Sequence, residues 1–251
     1  MFDFHTHIIM GDGTPCLLNV PVVCRGDRFY RDDRWDSGDG FCGDGDACGE
    51  GGVRACVQDG NVAFSVGVHP WDVGEDWEER VETVRREAAR SRVWAVGECG
   101  LDKLCGTAFD LQLKAFYAQV DIAEDVGKPM VIHCVRAFNE LMAIRKEIGM
   151  RKRGSDGRIM PWVIHGFRGK PDLAKQLMSK GFMLSFGQRY NIETLCEVFA
   201  SSRPFFLETD DCHQPICQIY GQVARHLGVD VARLEALCDP RRSIFSGLCC
   251  C

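Results

Sequence analysis

Short apolar runs alternate with longer amphipathic stretches along the 251-residue chain. The runs at Met1–Phe4, Cys16–Val23, Val62–Val68, Val93–Gly97, Met130–Ile132, Trp162–Ile164, Phe182–Ser185 and Phe205–Leu207 predict strands. They are close to continuously apolar, as strands covered on both faces must be. Glu75–Ser91, Ala108–Val126, Phe138–Met150, Pro171–Lys180, Ile192–Ser201 and Pro215–Leu227 predict helices, and a last one runs from Val231 to Cys238. In Ala108–Val126, Leu111, Ala115, Ala118 and Ile122 recur at helical spacing. Thr107 is placed to cap that helix with Asp110 three residues on, and Gly127 and Pro129 stop it. Strand and helix in alternation imply parallel pairing through right-handed crossovers. Eight such strands predict one (β/α)8 TIM-barrel domain over residues 1–251. An open doubly wound sheet is the alternative, because one sequence does not reveal strand order.

One stretch breaks the rhythm. Residues 25–61 hold nine of the 27 glycines, many aspartates and little apolar material. An irregular insertion between the second and third strands is expected there. Asp44, Asp46 and Gly49 begin like a calcium loop, but Ala55 stands where such a loop needs glutamate. Cys24, Cys42, Cys48 and Cys56 match no usual zinc spacing.

Composition narrows the class. Hydrophobic residues are 45% and charged residues 26%, as in ordinary globular proteins. The net charge of -6 excludes a uniformly basic nucleic-acid surface, though not a local basic patch. Fifteen cysteines without a C-x-x-C pair, after a start (MFDFHTH) with no export leader, predict reduced thiols in a cytoplasmic protein. The Cys249–Cys251 triplet suggests no chemistry. No apolar run is long enough to span a membrane.

The polar residues at the strand ends carry the chemistry. In Asp3-Phe4-His5-Thr6-His7, the two imidazoles two residues apart project to one side. Glu98 ends the fourth strand, His133 the fifth, His165 the sixth, and Glu208-Thr209-Asp210 the eighth. Each alone has a bland alternative, a satisfied buried histidine or a capping acid. In a barrel, however, these ends converge on one mouth, and so many ionisable groups together need a compensating cation. His5, His7, Glu98, His133, His165 and Asp210 offer more donors than a closed structural zinc takes. They suit two divalent metals about 3.5–4 Å apart with Glu98 bridging. Imidazole with carboxylate fits zinc, manganese, iron, cobalt or nickel better than calcium. His69 ends the third strand and is placed to contact a substrate phosphate, or else is a turn histidine fixed by Pro70. Arg136 and Arg168 could clamp phosphate or form surface pairs, and Lys103 is similar. Trp71 would stack on a base or cap the rim. Cys99 and Cys134 adjoin candidate ligands, but alternation turns them away from the mouth.

The segments FDFHTH, SVGVHPW, AVGECGLD, KPMVIHC, VIHGFRG and LETD, in order from residue 2 to 210, resemble the TatD family of metal-dependent hydrolases. The resemblance implies a TIM-barrel hydrolase of phosphodiester bonds, a deoxyribonuclease using magnesium or another divalent metal, with DNA or an oligonucleotide as substrate. It also implies that His5, His7 and Asp210 hold one metal, that His133 and His165 hold the second, and that Glu98 bridges them. Asp210 then doubles as general base, so Asp210 and Glu98 are the catalytic pair. Some positions depart from the family pattern. Asp210-Asp211-Cys212-His213-Gln214 replaces a small residue followed by proline, and the acidic insertion would repel a nucleic-acid backbone. Two other functions therefore stand beside the nuclease: a same-fold hydrolase of a small ester, amide or phosphoester, and a non-catalytic metal-binding scaffold.

Overall fold

The structure, a computed structural model, describes residues 1–7, 14–22, 24–25, 28–29, 62–151 and 159–246. Eight parallel strands follow one another around a single sheet in chain order. They are β1 (Asp3–Thr6), β2 (Cys16–Pro21), β3 (Val62–Gly67), β4 (Val93–Asp102), β5 (Met130–Val135), β6 (Trp162–Ile164), β7 (Phe182–Phe186) and β8 (Phe205–Leu207). Chain-order neighbours leave no reversal of strand order, which decides against the doubly wound sheet. A parallel bridge between Thr6 and Asp210 brings the last strand back to the first, so the sheet is a nearly closed barrel. Around it lie α1 (Trp77–Ala88), α2 (Phe109–Val126), α3 (Phe138–Arg151), α4 (Pro171–Ser179), α5 (Ile192–Ala200), α6 (Ile216–Leu227) and α7 (Val231–Cys238).

Two apolar layers hold the barrel. The outer one lies between strands and helices and includes Val96, Ile132, Ile164, Leu207, Phe116 and Tyr220. The inner one takes Phe4, Leu17, Ala63, Ala95, Val131, Val163 and Phe206 from successive strands, closed from below by Phe245. Phe4 and Phe206 stack with centroids 4.6 Å apart. Strand residues alternate between faces, so on a regular strand the position two beyond an inner residue also points inward. On β2, β3, β5, β6 and β8 those positions carry Asn19, Ser65, His133, His165 and Glu208, whereas β1 and β4 shift register near their ends and bring His5 and Glu98 to the mouth instead of Thr6 and Gly97. A polar layer therefore sits directly above an apolar one, on the side where the strands end.

The helix limits follow the sequence signals to within a few residues, and Gly127 ends α2 in the left-handed conformation, φ 67°. The expected cap does not form. Ala108 takes the N-cap position without a side-chain hydrogen bond, and the Thr107 hydroxyl donates instead to the Trp71 carbonyl at 3.5 Å. The Thr107 backbone carbonyl accepts from Gln112, which holds the residue toward the rim. The insertion expected at 25–61, with its calcium and cysteine readings, lies outside the described residues except at its start. There Cys24–Arg25 and Arg28–Phe29 pair as a two-residue antiparallel ladder. The Cys249–Cys251 triplet also lies outside them.

Candidate metal centre

The mouth is built around Glu98. Strand β4 shifts register against β5 between Val96 and Cys99, and there its backbone runs unusually close to its neighbour. Gly100 has φ 152°, and a Cβ on it would lie 1.9 Å from the His133 carbonyl oxygen. Only glycine permits that approach. Between Gly97 and Gly100, Glu98 enters the mouth while Cys99 faces the outer core, fully buried. The Glu98 backbone N–H donates to Asn19 Oδ1 at 2.8 Å, which fixes the residue from β2.

The two carboxylate oxygens of Glu98 face different imidazoles. Oε2 lies 3.3 Å from His5 Nε2 and 3.4 Å from His7 Nε2. Oε1 lies 2.7 Å from His165 Nε2, 3.0 Å from His133 Nδ1 and 3.2 Å from His69 Nε2. Asp210 Oδ1 joins the first group, 3.7 Å from His5 and 3.6 Å from His7. Its backbone is stapled across the barrel closure: Asp210 N–H donates to the His5 carbonyl at 2.9 Å, and His7 N–H donates to the Asp210 carbonyl at 3.1 Å. Asp210 sits at φ 56°, a strained turn of the kind that accumulates at functional sites. Buried Asp3 supports it, accepting the Thr209 N–H at 2.9 Å and the Thr209 hydroxyl at 2.7 Å.

The electrostatics show a cluster in need of positive charge. Burial alone would raise Glu98, yet the charge of His165 and the imidazoles packed around both oxygens outweigh it and hold the carboxyl well below its ordinary range. Burial would conversely lower His165, but the Glu98 and Glu208 carboxylates hold it well above the usual imidazole range. Burial raises Asp210, and it pushes Asp3 up to about 7. A proton and a metal ion are alternative ways to neutralise such a set.

The residues present fit a metal. Among the described residues, neither ring nitrogen of His5 has a hydrogen-bond partner, although the side chain is fully buried. An uncompensated buried imidazole is costly, and a cation would satisfy it. Four triads have ligand atoms within 4.8 Å of one another: His5–His7–Asp210, His5–Glu98–His165, His69–Glu98–His133 and His165–Glu208–Asp210. All six donors predicted from the sequence meet here, joined by His69 and Glu208.

The supporting residues were harder to see. Asp102 was only the end of a motif in the sequence, yet it accepts the Trp71 indole N–H at 2.7 Å and the Leu104 N–H at 2.7 Å, and lies 3.3 Å from His133 Nε2. Gln112 and Gln119, seven residues apart on α2, are buried and bond the backbones of Asp102 and Val68. Their spacing on the buried face of a helix was the available signal. The remaining predicted contacts are more peripheral. Arg136 and Arg168 are exposed. Lys103 pairs with Glu140 on α3 and lies over the Phe109 ring. Trp71 is 64% exposed at the rim, edge-on to His69.

A family model described as TatD related DNase matches residues 53–222, most of the chain. The chain belongs to the TatD family. An uncharacterised metal-dependent hydrolase, YabD, of Bacillus subtilis strain 168 is 32% identical over 127 residues, covering 50% of this chain and 47% of the relative. The chain thus spans about half the length of the first curated relatives it matches. A relative from Cronobacter sakazakii named 3'-5' ssDNA/RNA exonuclease TatD is 28% identical over 207 residues, covering 70% of this chain and 73% of its own. Among solved structures, the TatD homolog YjjV of Escherichia coli K12 superposes over 94% of both chains with a TM-score of 0.64 at 15% identity, a likeness of fold. No helix among the described residues is long and apolar enough to cross a membrane.

Proposed function

We propose that this TatD-family chain is a divalent-metal-dependent phosphodiesterase acting on DNA or oligonucleotides, with residues 1–251 forming one catalytic domain. The observation that carries the reading is the division of imidazoles around Glu98: two on one carboxylate oxygen, three on the other. His5, His7 and Asp210 would hold one ion, His133 and His165 a second, and Glu98 would bridge them. Zinc, magnesium, manganese and nickel are the candidate ions. Bound there, they would lower the pKa of water and neutralise charge on a phosphoryl group.

The chain's own residues divide the remaining work. Asp210 orients the attacking water and takes its proton as the water oxygen bonds to phosphorus and the bond to the leaving oxygen breaks, and that oxygen leaves as an alcohol after taking a proton from solvent water. Its mixed position supports the role, since it is tied to strand β1 by its backbone while its side chain stays partly open to the mouth. His69 is held differently from the ligands. Its Nδ1 accepts the Trp71 backbone N–H at 3.2 Å, so its proton must sit on Nε2, which points into the site. It is thus suited to donate a hydrogen bond to a phosphoryl oxygen. Arg136, Arg168 and Lys103 would meet the flanking phosphates.

A nuclease assay on single-stranded oligonucleotides, with and without chelator, tests the proposal. Metal-restorable, chelator-sensitive cleavage is expected. Full activity after metal removal would refute it. Turnover of small phosphoesters or carboxylic esters without oligonucleotide cleavage would keep the chemistry and move the substrate, a shift that the net charge of -6 would favour.

A further inference from the structure

Asp102 lies just outside the cluster around Glu98, and its bonding bears on which nitrogen of His133 faces that cluster. Oδ1 accepts the Leu104 N–H at 2.7 Å. Oδ2 accepts the indole N–H of Trp71 at 2.7 Å and lies 3.3 Å from His133 Nε2. An ionised carboxylate only accepts hydrogen bonds, so His133 must carry its proton on Nε2 to face it. In the neutral ring that metal binding requires, His133 Nδ1 then presents a lone pair, 3.0 Å from Glu98 Oε1 and 3.4 Å from His165 Nε2. The Nδ1 lone pair and the Glu98 oxygen would then face each other, an arrangement that is repulsive until a cation lies between them.

We propose that Asp102, held in place by the Trp71 indole, is the positioning residue that selects Nδ1 of His133 as the metal-facing nitrogen. This rests on the reading of His133 as a ligand. Metal-bound imidazoles commonly donate their other N–H to a carboxylate, which fixes the ring and raises its basicity. Here the carboxylate is itself fixed by an exposed aromatic residue at the rim. Trp71 sets both neighbouring imidazoles, in opposite senses. Its backbone N–H occupies His69 Nδ1 and leaves a proton pointing into the site, while its indole braces the acid that leaves His133 with a lone pair there.

The test uses the full chain with zinc alone as the probe. Zinc equivalents and affinities come from titration calorimetry, and the histidine nitrogens from long-range proton–nitrogen correlation spectra. Wild type should show His133 protonated on Nε2 with a metal-shifted Nδ1. Asp102→Asn is isosteric and keeps the acceptor for Leu104. It should weaken one zinc equivalent by about 10–100-fold, as loss of an outer carboxylate usually does, and shift the His133 proton pattern. Asp102→Glu should recover part of that loss, and Trp71→Phe should show a smaller loss in the same direction. Unchanged affinity and an unchanged His133 spectrum in Asp102→Asn would overturn the proposal, as would weakened zinc binding with the His133 pattern intact. Should Asp102→Asn fail to fold, wild-type zinc binding and an unmoved His133 pattern in Trp71→Phe would overturn it instead. His133→Ala separates the two readings. Retention of both equivalents there would remove His133 as a ligand, and this proposal with it. Loss of one equivalent there, without loss in Asp102→Asn, would remove only the role of Asp102.

Discussion

Glu98 is the residue on which the site depends most, because both of its oxygens are surrounded by imidazole nitrogens at 2.7–3.4 Å. Glu98→Gln keeps the shape and removes the charge. It should weaken metal binding by more than the roughly 10–100-fold typical of an outer partner, measured by calorimetry with zinc or manganese. Asp210→Asn should weaken the ion held with His5 and His7, leave the other ion in place and lower turnover by roughly 10²–10⁴, the usual contribution of a positioned base. His69→Leu should lose about 10²–10³ in kcat while keeping its metal content, because it removes a donor rather than a ligand. Unchanged kcat, or a lost metal equivalent, would show that His69 has another role. At this scale the sequence was informative where a charged or imidazole group ended an apolar run. His133 and His165 each follow two apolar strand residues, so their inward direction is dictated by alternation from Val131 and Val163. Asp102 and Asn19 were not legible, because their importance lies in what they touch. A lone asparagine inside Cys16–Pro21 looks no different from a solvated one until Glu98 N–H is seen on its oxygen.

Among the elements, strand β4 shows how backbone geometry places a side chain. Gly97 and Gly100, at φ 144° and 152°, flank the glutamate, and both lie where a Cβ would collide with β5. Gly100→Ala should cost at least about 1–3 kcal/mol of stability, read from urea unfolding, and should disturb His133 through its carbonyl oxygen. Helix α5 offers a contrast remote from chemistry. Asn191 caps it by accepting the Thr194 N–H at 3.0 Å, so Asn191→Ala should cost about 1 kcal/mol with little effect on metal binding. The failed Thr107 cap marks a limit of local reading. The motif was present, but the mouth recruited its hydroxyl and carbonyl for Trp71 and Gln112. Tertiary partners outbid a local cap whenever they satisfy the same groups at lower cost in strain.

Over the whole molecule, the barrel separates stability from function by depth. Phe4, Phe206 and Phe245 stack at the closed end, while the polar layer lies toward the strand ends. The two depend on each other through β1, which carries Phe4 into the core and His5 into the site. Phe4→Ala should cost about 3–5 kcal/mol and weaken metal binding as well, because His5 shares its strand. Metal should in turn raise the thermal midpoint, with a gain of about 2.7 kcal/mol when free metal is 100 times its Kd, and chelator should reverse the gain. A thermal midpoint indifferent to metal and chelator would mean that these side chains hold no ion in the folded state.

Periodicity in the chain determined the eight barrel strands and the seven helices among the described residues, and the placing of histidines and carboxylates at strand ends, because each is a local consequence of where apolar side chains must be buried. Tertiary structure alone decided the chain-order closure of the sheet, the meeting of five imidazoles on the two oxygens of one glutamate, and the contacts of Trp71 and Asp102 with His69 and His133. Those depend on contacts between residues far apart in sequence, such as His5 with Asp210 and Asn19 with Glu98, whose distances are fixed only when the barrel closes.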